Sequence, residues 1–260
     1  MTNANHPTRQ EKETELRLYM VVRSDLALTR SALAEISART TWRTLMSAMA
    51  EQPARFDGYD AAAQPKIGLR VKSPGHLERA LRECLEAGLP ATLVTAAPGV
   101  PAAVGIGPVS RSELPPFVAK LQMLPDAPNP EGAEVPRAPA GASGPKLWLV
   151  VRRDAEIPFG KLAAQAGHGA WGALGAARHS AAGLVGLWDA SGSPVAVLDV
   201  DDLPGLHAAF QAARAADLPA AFITDAGRTV FGRPTSTVVG IGPCEEKDLP
   251  PGVREIPFLA

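Results

Sequence analysis

A chain of 260 residues with 26 lysines and arginines against 27 aspartates and glutamates carries a formal net charge of −1. Nothing in that balance draws it to a polyanion, which argues mildly against tRNA or DNA as substrate; no DNA partner is expected, and any polyanion has to be held by a local patch. Cys84 and Cys244 are the only cysteines and have neither CxxC spacing nor a histidine partner. This excludes a zinc site or a disulfide framework and makes a reducing compartment the default.

Residues 1–15 are rich in Asn, Thr, Glu, Lys and Gln and contain no apolar segment, and no run of about eighteen apolar residues occurs in the chain. A flexible solvated tail, a cytoplasmic protein and no membrane partner are expected. The folded part starts at Leu16. Leu18-Tyr19-Met20-Val21-Val22-Arg23-Ser24-Asp25 reads as a buried strand ending in a polar step. The phrase returns as Leu147-Trp148-Leu149-Val150-Val151-Arg152-Arg153-Asp154, displaced by 129 positions (148 minus 19). Leu33 and Leu162, Trp42 and Trp171, Pro65 and Pro194, and Leu89-Pro90 and Leu218-Pro219 keep that displacement. It then becomes 135 (240 minus 105), aligning Gly105-Ile106-Gly107-Pro108 with Gly240-Ile241-Gly242-Pro243 and Leu114-Pro115-Pro116 with Leu249-Pro250-Pro251. A register held over more than a hundred residues with one six-residue gap is an internal duplication.

In the second copy, a strand at about 147–152 leads into a Gly/Ala-rich helix over 159–178, then an irregular stretch through Trp188 to Ser193. A strand at 194–200, an amphipathic helix at 203–216, a short strand at 220–224 and a final strand at 235–241 follow. Strands alternating with helices predict two tandem homologous α/β domains, each a small, partly parallel sheet covered by helices. The divisions are a tail (1–15), a first domain (16–124), a Pro/Ala/Gly-rich linker (125–145) expected to be semi-extended and solvated, and a second domain (146–260).

The helix that begins after Pro158 sets Lys161, Gln165 and His168 at i, i+4 and i+7, on one face among small residues. The bland reading is a helix packed tightly on a sheet, with His168 hydrogen-bonded at its edge. The duplication supplies an internal control: positions kept in both copies serve the fold, and positions kept in one are candidates for chemistry. Opposite Lys161, Gln165 and His168 the first copy has Ala32, Ile36 and Arg39. Opposite Thr224-Asp225-Ala226-Gly227-Arg228-Thr229 it has Thr95-Ala96-Ala97-Pro98-Gly99-Val100. Asp225 follows an apolar strand, at the carboxyl end where open α/β sheets place ligands. Asp225 can also be a turn residue bonding its own backbone, with Arg228 paired to it. A carboxylate, an imidazole, an ammonium, a guanidinium and hydroxyls, with no metal-ligand cluster and no GxSxG, suit hydrolysis by activated water.

Val150-Val151-Arg152-Arg153-Asp154, Gly160-Lys161-Leu162-Ala163-Ala164-Gln165 with His168, Asp225-Ala226-Gly227-Arg228-Thr229 and Thr235-Ser236-Thr237-Val238-Val239-Gly240-Ile241-Gly242-Pro243 resemble the type 2 peptidyl-tRNA hydrolases. The resemblance covers residues 146–260, and residues 16–124 resemble the same domain with eroded motifs. It implies two α/β/α domains, each with a four-stranded mixed sheet between helices, no cofactor, and cleavage of the ester between a peptide and the terminal ribose of tRNA. It places Lys161, His168, Asp225 and Thr229 in or near the reaction site, with Gln165, Arg228, Thr235 and Thr237 in support. Where the family carries two further lysines, this chain has Glu156 and Phe159, and the loss of cations that would meet phosphates weakens tRNA binding.

Residues 146–260 hold ten Lys and Arg against twelve Asp and Glu, about −2. The first copy is richer in cations (Arg17, Arg23, Arg30, Arg39, Arg43, Arg55, Lys66, Arg70, Lys72, Arg79, Arg82) and is expected to help hold an acidic partner. Homologous halves in one chain are expected to pack as an intramolecular pseudo-dimer, leaving a monomer. The rival reading is a binding or regulatory module that keeps the fold without cleaving tRNA. Hydrolysis of a smaller ester or amide stays open.

Overall fold

The computed structural model describes residues 13–133, 144–228 and 230–260. The first half runs β1 (Arg17–Arg23), α1 (Arg30–Glu51), α2 (Pro53–Asp60), β2 (Lys66–Val71), α3 (Pro74–Glu86), β3 (Ala91–Ala97) and β4 (Val100–Val109), then α4 (Pro116–Ala119) and β5 (Gln122–Met123). The second half repeats the order as β6 (Lys146–Arg152), α5 (Phe159–Ser180), α6 (Ala182–Ala190), β7 (Val195–Val200), α7 (Leu203–Ala215), β8 (Ala220–Asp225), β9 (Thr235–Cys244) and α8 (Pro251–Arg254). Among the described residues no helix is long and apolar enough to cross a membrane.

Each half has its own mixed sheet, ordered β3-β4-β1-β2-β5 and β7-β6-β9-β8. The four strands expected in each are present, and the first sheet adds β5, two residues pairing antiparallel to β2. The central pair is parallel in both halves, Leu18 opposite Lys66 and Leu147 opposite Val195. The last long strand returns antiparallel between the central strand and the hairpin strand. Side chains alternate across a pleated strand. On β6, Trp148 and Val150 therefore enter the core under α7, while Leu147, Leu149 and Val151 enter the core under α5. The helices are started by local chemistry: Ser73 and Asp202 accept hydrogen bonds from the backbone of His76 (3.2 Å) and Gly205 (2.9 Å), each with a proline in the first turn.

The halves meet through α1 and α5, the two longest helices, and one apolar core spans both. At its centre Trp42 and Trp171 lie 6.1 Å apart. Their indoles make reciprocal hydrogen bonds, Trp42 Nε1 to Asp189 Oδ1 at 3.0 Å and Trp171 Nε1 to Asp60 Oδ1 at 2.9 Å. Asp60 and Asp189 are themselves separated by the 129-residue displacement (189 minus 60), so one contact is made twice. Around it, the rings of Phe56 and Trp188 stand edge-on to Trp171 and Trp42 at 5.7 Å. Close approach of α5 to its sheet is set by Gly240 on β9, where a Cβ would collide with the carbonyl oxygen of Gly169.

One expectation is corrected. The stretch leading to Trp188 is not irregular: α6 forms because Val185 and Trp188, three apart on one helical face, bury in the shared core, and Trp188 Nε1 bonds the carbonyl of Pro194 at 2.7 Å. Residues 125–133 of the linker are mostly exposed, but their backbone is tied to both halves. Pro125 and Asp126 present carbonyls to the N–H groups of Gly160 (3.0 Å) and Phe159 (2.9 Å), satisfying donors that the start of α5 cannot pair internally. Asn129 donates to the carbonyl of Ser24 at 2.9 Å, and Ala133 exchanges backbone bonds with Asp25 and Ala27. Residues 134–143 of the linker lie outside the described residues.

Because the core is shared, truncating Trp171 removes packing from both halves at once. Trp171→Ala is expected to cost roughly 3–5 kcal/mol, read in urea as a lower midpoint of a single cooperative transition. Two separated transitions in the unaltered protein would contradict a common core.

Candidate functional site

The site is built where α5 lies across the ends of β8 and β9. Lys161, at the first turn of α5, forms an ion pair with Asp225, the last residue of β8. One helical turn on, Gln165 is 1% exposed. Its Nε2 donates to Asp225 Oδ2 at 2.8 Å, and its Oε1 accepts from Thr237 Oγ1 at 2.7 Å. Thr237 is fully buried on β9. The other carboxylate oxygen, Asp225 Oδ1, accepts the backbone N–H of Gly227 at 2.8 Å. The turn expected of an Asp before a Gly is therefore present, and the same carboxylate also takes an ammonium and a buried amide. Three donors fix its plane, and in a site of low local dielectric a satisfied network of this kind is rigid.

His168 lies two turns beyond Lys161, about 10 Å along the helix axis. Its side-chain partner comes from the other half: Lys66 Nζ on β2 stands 3.2 Å from His168 Nδ1. Burial, then the ammonium groups of Lys66 and Lys161, hold the imidazole well below its usual pKa. Burial likewise brings Lys66 down to about 7.

Lys161, Gln165, Asp225 and Thr237 are thus brought together, and His168 joins the first half at the next station along the same stripe. Thr235 pairs in register with Asp225, but its hydroxyl donates to the carbonyl of Arg233 at 3.0 Å and serves the hairpin. Arg228 is exposed on the loop after β8. Thr229 lies outside the described residues.

In the first half the same positions are apolar. Ile36 and Ala102, opposite Gln165 and Thr237, are buried in one cluster with Met20, Val22, Leu33 and Val94. Ala32, Ala96 and Val100, opposite Lys161, Asp225 and Thr235, pack against it. By contrast, both copies keep an arginine bracket. Arg23 clasps Asp25 and the carbonyl of Pro101 (3.0 Å), and Arg152 clasps Asp154 and the carbonyl of Ser236 (3.1 Å).

Phe159, at a position where the resemblance calls for lysine, is 4% exposed and buries its ring in that first-half cluster beside Leu26, Leu28 and Leu124. It is an anchor between the halves. Glu156 is exposed with φ 45°. Most of the first-half cations expected to help hold an acidic partner are engaged where they stand. Arg55 pairs with Glu113 (2.7 Å), Arg79 with Glu83 (2.6 Å), Arg23 with Asp25 and Arg17 with Glu15. Arg30 bonds the carbonyl of Ile157 (2.8 Å), Arg70 bonds Gln122, and Arg39 is half-buried near Glu35.

Comparison with known proteins fits this geometry. The family model "Peptidyl-tRNA hydrolase PTH2" matches residues 16–124 and again 145–257. A peptidyl-tRNA hydrolase of Methanopyrus kandleri is 35% identical over 114 residues, 44% of this chain and 97% of the relative. The probable peptidyl-tRNA hydrolase 2 of Drosophila melanogaster is 36% identical over 104 residues, 40% of this chain and 56% of the relative. The mitochondrial peptidyl-tRNA hydrolase 2 of Homo sapiens is 36% identical over 98 residues, 38% of this chain and 55% of the relative. The matched segment thus spans about half the length of the fly and human proteins.

A buried hydrogen-bonded set costs more when broken singly than when replaced whole. Thr237→Ala, which leaves Gln165 Oε1 without its donor, is expected to lose about 1–3 kcal/mol of stability. The fourfold change to the first copy's residues (Lys161→Ala, Gln165→Ile, Asp225→Ala, Thr237→Ala) is expected to stay within about 1 kcal/mol of the unaltered protein. Thermal and urea unfolding measure both, and a fourfold variant less stable than the single one would refute the account.

Proposed function

Because this chain belongs to the peptidyl-tRNA hydrolase PTH2 family, we propose that its second half hydrolyses the ester joining a peptide to the terminal ribose of tRNA. The observation that carries the reading is the Lys161–Asp225–Gln165–Thr237 network, kept in one copy and replaced by alanine and isoleucine packing in the other. A polar set dispensable to the fold, yet held together by a buried glutamine, fits a site under functional constraint.

In the mechanism we assign, Asp225 orients and activates a water that attacks the ester carbonyl carbon. Lys161, already beside that carboxylate, stabilises the negative charge that develops on the carbonyl oxygen. The carbon–oxygen bond to the ribose then breaks, and the ribose oxygen takes up a proton as it leaves. His168, held neutral by burial and two neighbouring cations, fits orienting a ribose hydroxyl through a hydrogen bond better than carrying a full positive charge. Gln165 and Thr237 position Asp225. Arg228, on the loop that follows, and Thr229, next to it in sequence, are assigned to the approach of the tRNA end.

The second reading, a binding or regulatory module that keeps the fold without cleaving tRNA, draws support from Phe159 and from the locally paired arginines, which leave few cations for phosphates. One assay separates the two. With peptidyl-tRNA as substrate, Asp225→Asn and Lys161→Met are each expected to lower kcat/KM by about 100-fold or more. Undiminished cleavage in both variants would overturn the assignment, and tRNA binding without cleavage by the unaltered protein would establish the rival.

We further propose that the chain is a monomer whose halves form an intramolecular pseudo-dimer, since the faces of α1 and α5 that a homodimer would use are spent on each other. Sedimentation equilibrium is expected to return the mass of one chain, 27.1 kDa. A two-chain mass counts against the proposal.

A further inference from the structure

We infer that the first copy completes the site: Lys66, reaching from β2 across the boundary between the halves, is a positioning residue that holds His168 in the tautomer with its proton on Nε2. The inference rests on the hydrolase reading above for its functional meaning, and on the geometry of Lys66 for its physical content.

An ammonium has hydrogens to give and no lone pair to offer. With Lys66 Nζ 3.2 Å from His168 Nδ1, that nitrogen has to accept while Lys66 is protonated, below its pKa of about 7, and the ring proton then sits on Nε2, where it can be donated to a substrate. Room for the lysine is provided by the helix it crosses. A Cβ at Gly167, the residue before His168, would stand 3.0 Å from Lys66 Cδ and against Thr41 Oγ1. Alanine in the interior of a helix is favoured over glycine by about 1 kcal/mol, so the gap has a use. The 129-residue partner of Gly167 is Ala38.

The fold itself does not ask for this lysine. Lys66 pairs with Leu18 across the parallel strands of the first sheet, and at the matching place in the second sheet Val195 pairs with Leu147. An apolar residue therefore serves the same strand position. A buried ammonium is costly unless compensated, and among the described residues no carboxylate lies within ion-pair distance of Lys66. It rests instead on His168, the carbonyl of Gln64 at 3.3 Å and the ring of Tyr59 at 5.6 Å.

The duplication then gives a test within one molecule, because packing of like halves creates two composite stations. One joins Lys161, Gln165 and His168 of the second copy to Lys66 of the first. The corresponding positions, Ala32, Ile36 and Arg39 of the first copy and Val195 of the second, lie on α1 and β7, which also pack together. The first station is complete on both sides of the boundary, and the second is lost on both sides. Lysine is present only where a histidine stripe faces it, which is the pattern of one site assembled from two domains.

The experiment uses the full chain and two variants, Lys66→Met and Lys66→Val, the second installing the residue that the other copy carries at this position. Nitrogen-15 histidine NMR at pH 6.5, with His168 identified by the signals missing in His168→Asn, is expected to show an unprotonated Nδ1 in the unaltered protein. Population of the Nδ1–H form is expected in the variants. With peptidyl-tRNA, Lys66→Met is expected to lower kcat by about tenfold with KM changed less than twofold. In a His168→Asn background the same change is expected to cost less than twofold, because Lys66 acts through the imidazole. Melting temperatures no lower than that of the unaltered protein are expected, since a buried charge is removed. An unchanged tautomer, or an equal loss of kcat with and without His168, overturns the inference while leaving the hydrolase reading intact. An unaltered protein that cleaves nothing overturns that reading, and the NMR result still decides the role of Lys66.

Discussion

The contact on which the rest depends is the pair of indoles at the centre of the molecule. Trp42 and Trp171 lie tilted against one another, each hydrogen-bonded to a carboxylate near the end of the second helix of the opposite half. Large aromatic rings bring most of the apolar area to such a junction, and their N–H groups need partners once water is gone. Asp60 and Asp189 meet that need reciprocally. The arrangement fixes both the rotation of α1 against α5 and the distance between the sheets. Every relation across the boundary, including Phe159 in the first half's core and Lys66 against His168, follows from that fixed geometry.

Within the second half, the same helix is asked to do two things. One of its faces packs on the shared core and needs alanine, leucine and tryptophan; the stripe next to it faces the ends of β8 and β9 and carries Lys161, Gln165 and His168. Gly240 lets the backbone of α5 sit close enough for Gln165 to reach both Asp225 and Thr237. The first half shows what happens when the polar stripe is surrendered. Alanines and an isoleucine close over the same space, and the strand and helix geometry survives, because the sheet register never depended on those side chains.

Much of this was legible in the chain. The duplication and the alternation of strands with helices follow from patterns that both copies repeat. The helical spacing of Lys161 and Gln165 put them on one face, but β6 and β8 are not neighbours, since β9 lies between them, and it is α5 lying across β8 and β9 that brings Lys161 to Asp225. Other features were hidden for identifiable reasons. α6 is a helix because Trp188 has a pocket in the other half, a tertiary fact that a glycine-containing local sequence does not disclose. Phe159 reads as a missing cation in one dimension and is an apolar anchor in three. The local pairing of most first-copy arginines with glutamates and carbonyls was likewise not visible in a count of charges.

Lys66 is hidden for a different reason: it stands in the copy whose own stripe is eroded, at a strand position where the second copy has Val195. In a protein made of two like domains, residues of one site need not be retained by one copy. Packing through α1 and α5 creates two stations that each draw on both copies, so the loss of one station erodes a different set of positions in each half. A copy that has lost its own stripe can still be held to the residues it lends across the boundary. That constraint gives the eroded half a reason to keep its fold, its tryptophan and its lysine while the positions matching Lys161, Gln165 and Asp225 filled with apolar side chains.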